Sequence, residues 1–330
     1  MSFFASLPDS VHHSMESFEK EYYSSLSSSS EDMSRAVEIL SSSAGKRMRP
    51  LLLILTAGCF GEIDKSVING AVFVELLHVA TLIHDDVIDE SGMRRGNPAL
   101  HTLIGSHKAV LMGDYVLATA MMKAAQTQNH DVVKALALLG RMLIEGEFLQ
   151  MSAARKGFPT EEQYLDIINK KTASLMAMSV YIGASLIGVK DPQTLRMLSD
   201  ATTKLGLAFQ IKDDIFDYMS ANDTGKPTGN DLREHKVTLP LIYPLTKLTK
   251  KDGYPRQKEM IEILDKEVLS QEEIQSLIDF AHREGGVAYA ESRLKSLIEE
   301  SKTLFDDALP ECEYKKALLT LCDYVGSREK

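Results

Sequence analysis

From Val67 to Ile83 apolar residues fall on every face of a helical projection, the pattern of a helix buried on all sides. The spacing predicts this helix over about 64–90, with Gly92 as its C-cap. A second long apolar helix is expected around Thr194–Met219. Residues 1–40 read as one or two amphipathic helices broken near the serine run Ser24–Ser30. Pro50 suits the first turn of an apolar helix running to Phe60. Another is expected to open at Gly113-Asp114-Tyr115 and reach about Gln126, and a further one to span about Val132–Met151. Thr160, with Gln163 in capping-box position, starts a helix that carries Lys170, Lys171 and Thr172. In the tail, Ser270 and Glu273 form a second capping box, and Gly285-Gly286 interrupt the pattern. Helical periodicity crosses every candidate boundary without a Pro/Gly/Ser-rich linker, so residues 1–330 read as a single all-α domain.

Both long apolar helices end in carboxylates. The first closes on His84-Asp85-Asp86-Val87-Ile88-Asp89, where Asp85 and Asp89 lie one helical turn apart with Asp86 beside them. A helix C-terminus carries partial negative charge and prefers Lys or Arg. Carboxylates about 6 Å apart also repel by roughly 3 kcal/mol per pair at an effective dielectric of about 20. Gln210-Ile211-Lys212-Asp213-Asp214-Ile215-Phe216-Asp217 repeats the Asp-Asp-x-x-Asp spacing at the end of the second helix. One such cluster is a surface accident often enough; two closing two apolar helices point to a bound cation. Hard, oxygen-loving Mg²⁺ fits, held by one or two carboxylates plus substrate phosphates. No D-x-D-x-D-G loop suggests calcium, and no histidine pair has zinc spacing.

Composition narrows the classes. A formal net charge of −10 and 330 residues argue against a nucleic-acid binder, which shows a basic face. Cys59, Cys312 and Cys322 lack CxxC spacing and read as buried thiols in a reducing compartment. The N-terminal residues do not resemble a secretory signal, and no uninterrupted apolar run reaches transmembrane length. A soluble, cytoplasmic protein is expected.

Basic groups are nonetheless stationed along the chain. Lys46-Arg47-Met48-Arg49-Pro50 sits at a loop–helix N-terminus, a place suited to anions, although a solvated basic loop is the plainer reading. Arg94-Arg95-Gly96-Asn97-Pro98 follows the first acidic cluster, and its arginines either pair with the aspartates or hold phosphates brought by a metal. Lys171 lies among apolar neighbours, while Lys226 and Lys236 are spaced along the polar stretch Thr224–Pro240, which is not a P-loop. His78, on the first apolar helix, reads alone as a core histidine. The stations are more than one phosphate group needs and fit two diphosphate substrates, with apolar helix walls for a hydrocarbon tail.

The ordered set GKRMRP, HDDVID, RRGNP, KT, FQIKDDIFD and GKPTGNDLREHKVTLP resembles the trans-isoprenyl diphosphate synthases, or polyprenyl synthetases, over roughly residues 40–245. The chain departs from the family pattern at Asn230, often lysine there, and at His235, often glycine. The resemblance implies the all-α isoprenoid-synthase fold, with helices around a deep central cavity, and a homodimer. It implies that Asp85, Asp86, Asp89, Asp213, Asp214 and Asp217 hold Mg²⁺, three ions per active site, on an allylic diphosphate. Arg94, Lys171, Thr172, Gln210, Lys226 and Lys236 would grip that leaving group. Lys46, Arg49, His78 and Arg95 would bind isopentenyl diphosphate, turning the basic loop and the lone histidine into ligands. Asp85, Asp86, Lys171, Asp213 and Asp214 would carry the chemistry: ionisation of the allylic diphosphate, then head-to-tail attack by isopentenyl diphosphate.

Ala80 and Thr81, just before the first cluster, are small where short-chain members commonly place bulky aromatics. An open floor argues for a product longer than C20, about C40 by resemblance, whose lipid can partition into a membrane. Met112, Met121, Met122 and Met176 are expected to line a soft tunnel. The alternatives are a short-chain farnesyl or geranylgeranyl diphosphate synthase and a non-catalytic subunit of a heteromeric synthase. A terpene cyclase on the same fold would lack the GKRMRP and RRGNP stations.

Overall fold

The computed structural model describes residues 3–28, 30–42, 45–94, 96–155, 157–219, 229–248 and 255–328. It is all-α, as expected: the described strands form one two-stranded ribbon, Met93–Arg94 antiparallel to Asn97–Pro98. In chain order the helices are α1 (Asp9–Ser25), α2 (Glu31–Ser42), α3 (Met48–Phe60), α4 (Lys65–Ile88), α5 (Leu100–Ile104), α6 (Ser106–Gln126), α7 (His130–Arg155), α8 (Glu161–Ile168), α9 (Ser174–Leu186) and α10 (Pro192–Asp217). They continue as α11 (Asn230–Arg233), α12 (Leu239–Leu248), α13 (Pro255–Leu264), α14 (Gln271–Arg283), α15 (Gly286–Ala308) and α16 (Glu313–Ser327). Two compact units divide the chain: Met1–Leu139 with Leu175–Ser199 and Phe305–Thr320, and Gly140–Ser174 with Asp200–Leu304 and Leu321–Lys330.

The first unit is built around α4. Asp64 caps it, its side chain accepting from the Val67 N–H at 2.9 Å. Nearly every residue from Val67 to Leu77 is buried, against α6, α3 and α1. Burying that surface at about 25 cal/mol per Å² is the main stabilising term of this unit. The helix is long and apolar enough to cross a membrane, contrary to the uninterrupted-run criterion, yet 72% of its most apolar window is buried inside the protein. It ends one residue before Asp89, and the left-handed residue that turns the chain is Glu90 (φ 50°), not Gly92. Gly113 does not open α6, which begins a full two turns earlier at Ser106. A Cβ at Gly113 would come within 2.3 Å of His84 Nε2, so its missing side chain serves packing against α4 rather than a helix start.

In the second unit α8 opens with the expected capping box, Thr160 Oγ1 accepting from the Gln163 N–H and Gln163 Oε1 from the Thr160 N–H. The helix does not continue regularly through Lys170–Thr172. Residues Asn169–Ala173 widen into a π-turn before α9 resumes, a device that recurs at functional sites. The Ser270–Glu273 capping box is formed, and Gly285 (φ 76°) separates α14 from α15.

Candidate active site

The first acidic cluster lies at the C-terminal end of α4, in the first unit. Asp86 is buried, Asp85 half-buried and Asp89 exposed, the last serving as C-cap with its N–H on the Asp85 carbonyl at 2.8 Å. Arg94 on the short ribbon turns back onto this end. Its Nε donates to Asp86 Oδ1 at 2.8 Å, and Nη2 reaches the same oxygen. The pairing foreseen as one alternative for this arginine is therefore formed, and it offsets the charge that the helix dipole disfavours. His78 is half-buried two turns earlier on α4. Lys46 is exposed and Arg49 half-buried at the start of α3.

Between those two residues stands Arg47, which nothing in the run of basic residues sets apart. Its side chain turns inward, Nη1 donating to buried Glu75 at 2.8 Å and Nε to Glu19 at 3.0 Å. Ala80 is 1% exposed within the hydrophobic core around α4. Thr81 is half-buried and its hydroxyl donates to the His78 carbonyl at 2.8 Å, so its polar atom is spent on the backbone. Two methionines depart from the tunnel expectation. Met112 and Met176 are buried, but Met121 and Met122 stand 49% and 61% exposed on α6, away from the core.

The second cluster closes α10, in the second unit, and is held more elaborately. A Cβ at Gly206 would lie 2.6 Å from Ala173, so only glycine lets the π-turn approach α10 this closely. That approach brings Thr172 Oγ1 within 2.8 Å of Gln210 Oε1, and Gln210 Nε2 in turn donates to Asp214 Oδ1 at 2.8 Å. The buried Tyr164 hydroxyl donates to the other oxygen, Asp214 Oδ2, at 2.6 Å. Three residues singled out in the sequence thus form one chain, with Tyr164 as an addition that no spacing revealed. Lys171 pairs with Glu147 at 2.5 Å and donates to Gln150 at 2.9 Å. Asp217 accepts from the Asn230 and Asp231 N–H groups, both at 2.9 Å, tying the cluster to the segment before α12. Lys236, on that segment, pairs with Glu234 at 2.7 Å. Asp213 is paired at 2.8 Å with Arg328, which lies just beyond α16.

Burial dominates the electrostatics here. It pushes the Asp214 carboxyl up to about 7, against the hydrogen bonds from Tyr164 and Gln210 and with the charges of Asp213 and Asp217. Burial raises Asp217 too, opposed by the two backbone N–H groups it accepts. Asp231, read from sequence as part of a polar loop, is half-buried in α11, its carboxyl raised well above its ordinary range by desolvation and by Asp214 and Asp217. Such a group of mutually raised carboxyls is a site that a cation would relieve. Arg95 and Lys226 lie outside the described residues.

A model of the family described as "Polyprenyl synthetase" matches residues 30–281. The chain is 35% identical over 305 residues to a geranylgeranyl diphosphate synthase of Methanosarcina mazei, covering 91% of this chain and 90% of that protein. It is also 35% identical to an octaprenyl diphosphate synthase of Haemophilus influenzae, over 84% and 82% of the two chains. A polyprenyl synthase of Caulobacter crescentus crystallised with calcium and isoprenyl diphosphate superposes with a TM-score of 0.87 at 29% identity, over 97% and 96%.

The chain belongs to the polyprenyl synthetase family.

It is a prenyltransferase of the trans-prenyl diphosphate synthase type, with the all-α isoprenoid-synthase fold of that family. Polyprenyl synthetases are metal-dependent and act on isoprenyl diphosphates. The donor set of this one fits such a metal in a particular way. Among the described residues no three His, Cys, Asp or Glu side chains converge as a closed cage. Single carboxylates with spare lone pairs, completed by phosphate oxygens and water, are what Mg²⁺ commonly accepts. Asp214 shows the principle: each of its oxygens takes one hydrogen bond, leaving the other lone pair of each available.

Proposed function

We propose that this synthase elongates an allylic diphosphate with isopentenyl diphosphate, head to tail, in a Mg²⁺-dependent reaction whose product is longer than C20, about C40. The supporting observation for the chemistry is the Thr172–Gln210–Asp214–Tyr164 chain, which fixes one carboxylate of the second cluster from both sides. Asp85, Asp86 and Asp89 with Asp213, Asp214 and Asp217 are the residues that would hold the metal, three ions by family resemblance. When bound, Mg²⁺ supplies positive charge to the departing diphosphate.

The residues' own parts follow from their charges. Arg94, Lys171, Lys226 and Lys236, with Thr172 and Gln210, orient the allylic diphosphate and stabilise the charge that grows on it as the C–O bond ionises. In this structure Arg94 and Lys171 are paired with Asp86 and Glu147, so substrate phosphate competes with those carboxylates for them. Lys46, Arg49, His78 and Arg95 hold isopentenyl diphosphate for attack. No side-chain base is assigned to the final proton, which goes to the released pyrophosphate. Apolar walls keep water from the allylic cation.

The long-product reading rests on Ala80 and Thr81, small residues one to two turns before Asp85. Relatives of both short and long chain length stand at equal identity, so overall similarity does not separate the two and the long-product reading rests on the floor residues alone. We further propose that residues 1–330 are one synthetase domain acting as a homodimer. On α6, Leu111 and Met122 are 68% and 61% exposed, and Ile144 and Phe148 on α7 are similarly bare, a quantity of apolar surface suited to a second copy. One incubation tests the whole: farnesyl diphosphate with labelled isopentenyl diphosphate, with and without Mg²⁺, products extracted and sized. Products beyond C20 only with Mg²⁺ are expected. Arrest at C15 or C20 removes the long-chain reading, and no condensation at all would leave a non-catalytic subunit.

A further inference from the structure

Arg47 combines two costs that a purely structural residue seldom carries. Its backbone is left-handed (φ 52°, ψ 38°) although it bears a long side chain, at the N-cap of α3. Its guanidinium is buried, 4.3 Å from the centre of the Tyr22 ring and 5.8 Å from that of Phe18, with Nη1 on Glu75 at 2.8 Å and Nε on Glu19 at 3.0 Å. Glu75 is also buried, 3% exposed. Replacing a buried ion pair by apolar groups of similar volume is often neutral or stabilising, so stability alone does not call for it.

The placement of the pair supplies a reason. Arg47 stands between Lys46 and Arg49, and Glu75 lies three residues before His78 on α4, on the same side of that helix. One buried ion pair therefore fastens the basic turn that carries two of the proposed isopentenyl diphosphate ligands to the helix turn that carries the third. The planar guanidinium, fixed by two carboxylates and a ring face, permits little rotation of that turn.

We propose that the Arg47–Glu75 pair is a positioning device: it sets the spacing between Lys46/Arg49 and His78 that isopentenyl diphosphate requires, without touching the substrate. This rests on the proposed function of those three residues. The Arg47 guanidinium is committed to Glu75 and Glu19, carboxylates not assigned to the allylic diphosphate, so the two substrates should respond differently to loss of the pair.

The test uses the full-length protein with Mg²⁺ and the double variant Arg47→Met/Glu75→Leu, which removes both buried charges and leaves the half-buried Glu19 without the Arg47 contact, beside Arg47→Lys. Isopentenyl diphosphate binding is measured by calorimetry without allylic substrate, and steady-state kinetics give KM for each substrate. The double variant is expected to melt as the wild type does. Its isopentenyl diphosphate Kd and KM should weaken about tenfold or more, a loss of about 1.4 kcal/mol in positioning. The allylic KM and kcat should stay within about threefold, and Arg47→Lys should fall between, since ammonium cannot reproduce the fork. A folded double variant with unchanged isopentenyl diphosphate Kd overturns the inference. A wild-type protein that binds isopentenyl diphosphate but never condenses it overturns the proposed function instead, and one that fails to bind it overturns both.

Discussion

The guanidinium of Arg328 lies 2.8 Å from the carboxylate of Asp213, more than a hundred residues away in sequence and in the same unit. Arg328 is 7% exposed, stacks 4.0 Å from the centre of the Phe209 ring, and donates to the Phe209 carbonyl at 2.9 Å. It supplies positive charge to an acidic helix end that its own dipole disfavours. Arg328→Gln should lower the melting temperature of the protein in chelator and enlarge the stabilisation gained from Mg²⁺ with pyrophosphate. Differential scanning fluorimetry with and without those additions measures both. An unchanged Mg²⁺ response would show that Arg328 does not share the charge of the cluster.

Asp214 sets a pH dependence of defined sign. Its folded-state value of about 7 stands above the ordinary 3.8, so the folded chain holds this proton more tightly than the unfolded chain. Stability from this carboxyl is present below about pH 4 and is lost as pH rises towards 7. The gap corresponds to an upper figure of roughly 4 kcal/mol. In chelator, Asp214→Asn should flatten the fall of melting temperature between pH 4 and 7, while abolishing condensation. A fall of wild-type steepness in the variant would assign the effect to Asp217 or Asp231, whose carboxyls are raised in the same direction.

At the proposed floor, Ala80→Phe should shorten the product, read by sizing labelled chains. Ala80 is almost wholly enclosed. If its Cβ faces close-packed core instead of product, the larger ring would cost about 1–3 kcal/mol through overpacking, and product length would stay the same.

The thiols differ in access. Burial pushes Cys59 far up and Cys322 up to about 12, whereas Cys312 is half-buried just before α16. Labelling of the native protein by a maleimide at neutral pH should modify Cys312 alone within minutes, with the other two reacting only on unfolding. Mass spectrometry of peptides reads the sites.

His235 occupies a left-handed backbone (φ 55°) at a position where the family often has glycine. His235→Gly relieves that strain and gives up the contact of Nε2 with the Glu267 carbonyl at 3.0 Å. These oppose each other, so a change in stability of no more than about 1 kcal/mol is expected from thermal melts, with activity retained.

The aspartates, the basic stations and the long apolar helices were legible because each is a spacing along one element. What escaped depended on backbone choices and distant pairings. The π-turn at Asn169–Ala173 has no residue signature separating it from an α-helix, and it decides that Thr172 meets Gln210. Gly113 read as a helix opener because glycine usually breaks helices, while its use is to admit the ring of His84. Arg47 was hidden among other basic residues, since nothing in a run of charges tells which side chain turns inward. Tyr164 and Arg328 lie some fifty and more than a hundred residues from the carboxylates they bond. The exposure of Met121 and Met122 likewise could not be separated from burial by periodicity, because α6 is apolar on more than one face.

Helix α4 carries a consequence for the newly made chain. Its 24 residues would satisfy a bilayer, and they are hidden only once α3 and α6 are packed upon them. Since α6 follows α4 in synthesis, the segment emerges from the ribosome before its chief cover exists. During that interval it is a target for chaperones, for lipid surfaces and for other nascent copies. Refolding from denaturant should accordingly be limited by concentration, with recovery improved by agents that shield α4 while α6 docks.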